Sequence, residues 1–139
     1  MPRGLKPALV VTDVGLLVYW LAVALGLIPA EYAFNGYESP VMRDWNWSFF
    51  PLDVLAAGAG LAGAYLLARG RPEGPAVTVV SLALTFCAGL MAISFWWLSG
   101  DVTLSWWLPN LYLMGMPVYF ALVSMVARRA AARGASPVE

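Results

Sequence analysis

Apolar residues run almost unbroken through four stretches, Ala8–Ile28, Ser48–Ala68, Ala76–Leu98 and Leu104–Ala127, and charged residues collect between them. Each stretch holds about 20 residues or slightly more. That length crosses ~30 Å of hydrocarbon at ~1.5 Å per residue. The pattern predicts four transmembrane helices and an all-α integral membrane four-helix bundle, a single domain over residues 1–139. Pro29 and Glu31 end the first run and no small-x-small site follows it. A spanning helix is therefore expected there, not a cleaved signal peptide.

Local signals refine these elements. Ser48 can cap the second helix, with Pro51 in its first turn, where a missing N–H costs little. This start leaves a long loop over 29–47. Gly100 is placed to cap the third helix, so that the turn Ser99–Thr103 closes helices 3 and 4 into a tight hairpin. Ala56 with Gly60, and Ala59 with Gly63, form small-x-x-x-small pairs that let backbones approach closely in lipid. They fit packing inside one bundle or contact in a homodimer. Pro117 is expected to bend helix 4 and open a space lined by Met114 and Met116. Beyond Arg128 the chain is expected to continue the helix briefly and then fray, past Pro137.

Cations set the orientation. Arg3 and Lys6 precede helix 1, Arg69 and Arg71 lie between helices 2 and 3, and Arg128, Arg129 and Arg133 follow helix 4; Arg43 alone lies on the other side. The positive-inside bias predicts that both termini are cytoplasmic, in a bacterial cytoplasmic membrane. The outer side then carries the long loop, with Glu31, Tyr32, Phe34, Tyr37, Glu38, Asp44, Trp45 and Trp47. Trp47, Trp96, Trp97, Trp106 and Trp107 all fall near that interface. They form either an aromatic belt at headgroup level or the wall of a ligand opening.

Composition removes several chemistries. The chain is 61% hydrophobic and 12% charged over 139 residues, more apolar surface than a soluble domain of this size can hide. Its net charge is zero, so no nucleic acid is expected as partner. With no histidine, His-based metal sites, haem ligation and Ser-His or Cys-His catalysis fall away. No metal and no cofactor is expected, and the balance leans away from an enzyme. The single cysteine, Cys87, excludes an intramolecular disulfide and thiol oxidoreductase chemistry of that kind; it is expected as a small core residue.

The candidate chemistry lies in polar residues inside the spans. Asp13 in helix 1 and Asp53 in helix 2 each lie about five residues from a span end, about 8 Å deep. They fall in opposite halves of the bilayer, which argues against a paired acid/base site. Asp53 shares a helical face with Ala57, Gly60 and Ala64, so it is expected to point into the bundle. Ser94 and Asn110 lie at similar depth, and with Trp47, Trp106 and Glu31 they define a candidate outer-half ligand site around Asp53. In the competing reading, Asp53 bonds Asn110 or a Trp N–H and fastens helices. Asp13, Ser81 and Tyr119 form a secondary polar site, where Thr78, Ser81, Thr85, Ala88 and Ala92 make a polar, small seam along helix 3. The shallow position of Asp13 is expected to let it reach headgroups or water.

Three blocks carry a resemblance: Trp45-Asn46-Trp47-Ser48-Phe49-Phe50-Pro51-Leu52-Asp53, Thr85-Phe86-Cys87-Ala88-Gly89-Leu90 with Ile93-Ser94-Phe95-Trp96, and Ser105-Trp106-Trp107-Leu108-Pro109-Asn110. The chain resembles the YvaD-like family of small bacterial four-helix membrane proteins, which implies a topology. It is also similar to the emopamil-binding/sigma-2-receptor superfamily, through Pro29-Ala30-Glu31, Asp53, and Pro109-Asn110 with Pro117. That likeness implies binding of sterols or amphiphilic amines. It does not carry over isomerase chemistry, because the histidine partner of the acids is missing here.

The readings that follow are a binder of a hydrophobic or cationic amphiphilic small molecule or membrane lipid, a small proton-coupled exporter acting as a homodimer, and a non-catalytic assembly subunit. Small multidrug exporters resemble the second case, with one acid in helix 1, where this chain has Asp13.

Overall fold

The computed structural model describes residues 4–33 and 35–134, in five helices: α1 Leu5–Ala24, α2 Ala30–Ala33, α3 Pro40–Ala68, α4 Gly74–Leu98 and α5 Leu104–Gly134. Arg3, Phe34 and Pro137, named above, lie outside the described residues. Among the described residues, four helices (all but the single turn α2) are long and apolar enough to cross a membrane. The chain is a multi-pass membrane protein with an all-α bundle fold. Many of its large apolar side chains face outward, among them Val11, Val18, Leu21, Leu55, Val79, Leu104 and Val126, as a lipid solvent allows.

Three helices stop in the same way. Gly26, Gly70 and Gly100 have φ of +66°, +65° and +71°, a region open to glycine at no steric cost. After α4, Gly100 N–H donates to the Trp97 carbonyl at 3.2 Å and Asp101 N–H to the Trp96 carbonyl at 3.1 Å. Gly26 with Leu27, and Gly70 with Arg71, repeat that paired closure on α1 and α3. The expected cap at Gly100 and the tight α4–α5 hairpin are both present.

The start of α3 corrects the sequence reading. Ser39, not Ser48, precedes the helix, and Pro40 occupies its first turn. The Ser48 hydroxyl instead donates to the Trp45 carbonyl at 2.6 Å inside the helix. Pro51 therefore lies in the helix interior and gives no N–H to the carbonyl one turn earlier. About two turns of the expected loop are helical, and they carry Trp45 and Asn46 into the bundle and leave Trp47 on its outside. At the other end α5 continues to Gly134, further than the brief extension expected.

The helices pack in the order α1, α3, α4, α5, each against the next. Their inner faces are regular. Gly74, Thr78, Ser81, Thr85, Ala88, Ala92 and Trp96 are buried along α4 at spacings of three and four. Facing them, α3 buries Phe49, Asp53, Ala56, Ala57, Gly60, Gly63 and Ala64. A Cβ on Gly63 would lie 2.6 Å from Thr78 Oγ1, and one on Gly89 would lie 2.6 Å from the Asn110 carbonyl oxygen and 2.8 Å from Met114 N. Glycine thus sets the α3–α4 and α4–α5 separations, as small residues do in lipid. The small stripe is an intrachain packing face.

Two other expectations change. Cys87 is exposed on the outside of α4, not a core residue. Met116 packs with Leu5, Leu9 and Phe120, where α1 meets α5 at the Arg-bearing end. A cavity of about 370 Å³ does adjoin Pro117, but Leu5, Leu82, Phe86, Phe120 and Arg128 are among the residues that line it, and Met114 and Met116 are not.

Candidate functional site

In the Trp-rich half the four long helices surround a cavity of about 430 Å³. α1 supplies Thr12, Tyr19 and Trp20; α3 supplies Trp45, Asn46, Phe49 and Asp53; α4 supplies Ala92 and Trp96; α5 supplies Trp106, Asn110, Tyr112 and Leu113. The antiparallel register of α1 and α3 places Trp20 opposite Asp53, and the indole Nε1–H donates to Asp53 Oδ2 at 2.8 Å. The bond is buried. Asp53 Oδ1 has no hydrogen-bond partner among the described residues, and neither does Asn46 Nδ2, two turns along the same face of α3. One acid and one amide therefore line the cavity with bonding capacity to spare. No basic residue is among those that line it.

Aromatic contacts fix the walls. Trp45 stacks on Phe95 with centroids 4.1 Å apart. It also meets Phe49 at 4.8 Å and Trp96 at 5.5 Å, edge to face. Trp96 reaches Trp106 at 6.4 Å, which joins the α3–α4 wall to α5. The tryptophans divide between the two roles considered above. Trp20, Trp45, Trp96 and Trp106 line the cavity, while Trp47 and Trp97 are exposed.

Sequence and structure agree on part of this site. Asp53, Asn110 and Trp106 meet at the cavity. Asn110 does not bond Asp53; its Nδ2 donates to the Trp106 carbonyl at 2.8 Å. Ser94 is exposed on the outer face of α4, Glu31 is exposed on α2, and Trp47 packs its ring against Trp20 and Phe50 from outside. None of these three lines the cavity. Trp20 and Asn46 were missed. Two signals pointed toward Trp20: the Trp N–H expected as a partner for Asp53, and its spacing, seven residues from Asp13 and so on the same face of α1.

The secondary site also changes. Asp13 is 0% exposed, so it reaches neither headgroups nor water. It lies against Gly60 and beside Ser81, as expected for Ser81. Tyr119 is exposed and belongs elsewhere. Thr12 turns the other way and shares a hydrogen bond of 2.9 Å with the Tyr112 hydroxyl, which links α1 to α5.

A polar clamp closes the Trp-rich end. Asp101 Oδ2 accepts from Asn35 Nδ2 at 2.8 Å, Asp101 Oδ1 from the Thr103 hydroxyl at 2.5 Å, and the Asp101 carbonyl from Trp107 Nε1 at 3.0 Å. The loop before α3 is thereby tied to the α4–α5 turn.

Fold and site together define a small polytopic membrane protein with a polar-based, aromatic-walled cavity between its spans. Residues 5–132 match a family of unknown function, DUF5360, and the chain belongs to that family. It is similar to the "Uncharacterized protein YvaD" of Bacillus subtilis (strain 168), with 45% identity over 118 residues, 85% of this chain and 89% of that protein. The YvaD-like resemblance is borne out. No solved structure matches the chain, and the likeness to the emopamil-binding/sigma-2-receptor superfamily is not shown by these relationships.

Proposed function

We propose that the protein binds a hydrophobic or cationic amphiphilic small molecule in the cavity around Asp53, in the outer half of a bacterial cytoplasmic membrane, with both termini cytoplasmic. The observation that carries this reading is the pairing of one partly bonded carboxylate with apolar and aromatic walls and no basic side chain. A cation gains from the acid and from the faces of nearby rings, and an alkyl or polycyclic body gains from the walls. The volume, about 430 Å³, falls in the range of small-molecule sites. Trp20 holds one Asp53 oxygen and leaves the other for the ligand. The cation distribution supports the orientation.

The test uses protein in an uncharged detergent with three probes of equal chain length: an alkyl trimethylammonium, an alkyl phosphocholine and an alkyl glycoside. The ammonium probe is expected to raise the unfolding temperature of the wild type most, and to lose that advantage in Asp53→Asn. Equal responses of a folded Asp53→Asn protein and the wild type to the ammonium probe overturn the reading.

A further inference from the structure

Below the cavity, α1, α3 and α4 meet at a second polar cluster that the ligand reading does not use. Asp13 and Ser81 are 0% exposed and Thr85 is 1% exposed. Both Asp13 oxygens, Ser81 Oγ and Thr85 Oγ1 lack hydrogen-bond partners among the described residues. They converge. A Cβ on Gly60 would collide with Asp13 Oδ2 and lie 2.7 Å from Ser81 Oγ. Only a hydrogen at Gly60 leaves room for the acid and the hydroxyl on one side of α3.

A buried carboxylate needs a compensating positive charge. Gly60 and Ser81, which meet Asp13, offer none, and neither do Leu9 and Thr12 on its own helix, Ala57 one turn from Gly60 on α3, or Thr85 one turn from Ser81 on α4. Lys6 and Arg69 are exposed and about two turns away along their helices. The nearest acid along α3 is Asp53, itself bonded to Trp20. We propose that Asp13, Ser81 and Thr85 form an all-oxygen site for one small monovalent cation, H⁺ or Na⁺, bound without its water. Oxygen donors suit a hard cation. One carboxylate balances one positive charge, which disfavours a divalent ion. Neither cavity reaches Asp13 or Ser81, so a hydrated ion does not fit. The proposal stands whether or not the upper cavity takes an amphiphile.

A cation that binds only the folded protein stabilises it by mass action. Thermal unfolding is measured in uncharged detergent against pH at fixed Na⁺, and against Na⁺ at fixed pH and ionic strength with choline as replacement. The wild type is expected to gain stability as H⁺ or Na⁺ rises. With Asp53→Asn as the background of every variant, so that the second buried acid does not titrate, the parent is expected to keep that dependence and Asp13→Asn to lose it. A response to Na⁺ identifies the sodium ion. A response to pH alone identifies the proton, which infrared spectra then report as a carboxylic acid band lost in Asp13→Asn. Ser81→Ala is expected to move the midpoint to about tenfold more cation. A wild type indifferent to both cations overturns the site, as does a dependence that survives in Asp13→Asn. If Asp13→Asn does not fold, an unmoved midpoint in Ser81→Ala overturns it instead.

Discussion

Trp20 Nε1 donates to Asp53 Oδ2 at 2.8 Å across the α1–α3 interface. Both groups are buried, so each depends on the other for satisfaction. Asp53→Asn keeps an acceptor for the indole and is expected to cost under about 1 kcal/mol of stability. Asp53→Leu orphans the N–H and is expected to cost about 1–3 kcal/mol. Chemical unfolding of the two variants in detergent measures the difference, and equal costs would show that the bond holds nothing.

Glycines in α3 are expected to differ sharply. A Cβ at Gly60 would run into Asp13 and Ser81, whereas one at Gly58 meets nothing within 4 Å. Gly60→Ala is expected to destabilise by about 1–3 kcal/mol through overpacking. Gly58→Ala is expected to be neutral or stabilising, since alanine is the better helix former. Melting temperatures of the pair check this, and a similar loss at both positions would point to helix propensity alone.

Asp101 ties three groups at the Trp-rich end. Asp101→Ala is expected to leave the spans folded and to free the segment between α1 and α3. Limited proteolysis within 25–39 is expected to speed up several-fold with little change in helix content by circular dichroism. Unchanged cleavage would mean that the clamp does not restrain the loop.

The proposed orientation has a direct readout. Alkaline phosphatase fused after Gly134 is expected to be inactive, and inserted at Gly36 to be active. The reverse pattern would invert the assignment of the two bilayer halves while leaving the cavity geometry as it is.

Much of the buried surface was legible from spacing. The run Thr78, Ser81, Thr85, Ala88 and Ala92 marked the inner face of α4, and Asp53 with Ala57, Gly60 and Ala64 marked that of α3, because helix periodicity alone decides which residues share a face. What periodicity does not contain is register between helices. Asn110 or a Trp N–H was expected on Asp53; the donor is a Trp N–H, that of Trp20, because α1 lies against α3 and α5 does not. Depth itself misled at Asp13. Counting from Ala8 made the acid shallow, but α1 begins at Leu5, and Leu5 and Leu9 pack with Met116 and Phe120 to seal that end. The start of α3 was hidden by a good local signal, Ser48 before Pro51, that the chain uses inside a helix. Ser94 falls outside the cavity because Ala92 and Trp96 form the inner face of α4 at that level, and Glu31 because it is exposed on α2.

α1 and α5 are the first and last spans, and they close on each other chiefly at the Arg-bearing end, through Leu5, Leu9, Met116 and Phe120, with the Thr12–Tyr112 bond above. From the level of that bond upward, the rim of the cavity is formed by exposed positions of the same two helices, Val11 and Gly15 on one and Ser105, Pro109 and Tyr112 on the other. A rim of that kind opens sideways. Any solute using it arrives already dissolved among acyl chains, so its oil–water partition coefficient multiplies its effective concentration at the entrance. Occupancy would then follow the mole fraction in the surrounding lipid, and adding more bilayer at constant total solute would empty the cavity by dilution in two dimensions.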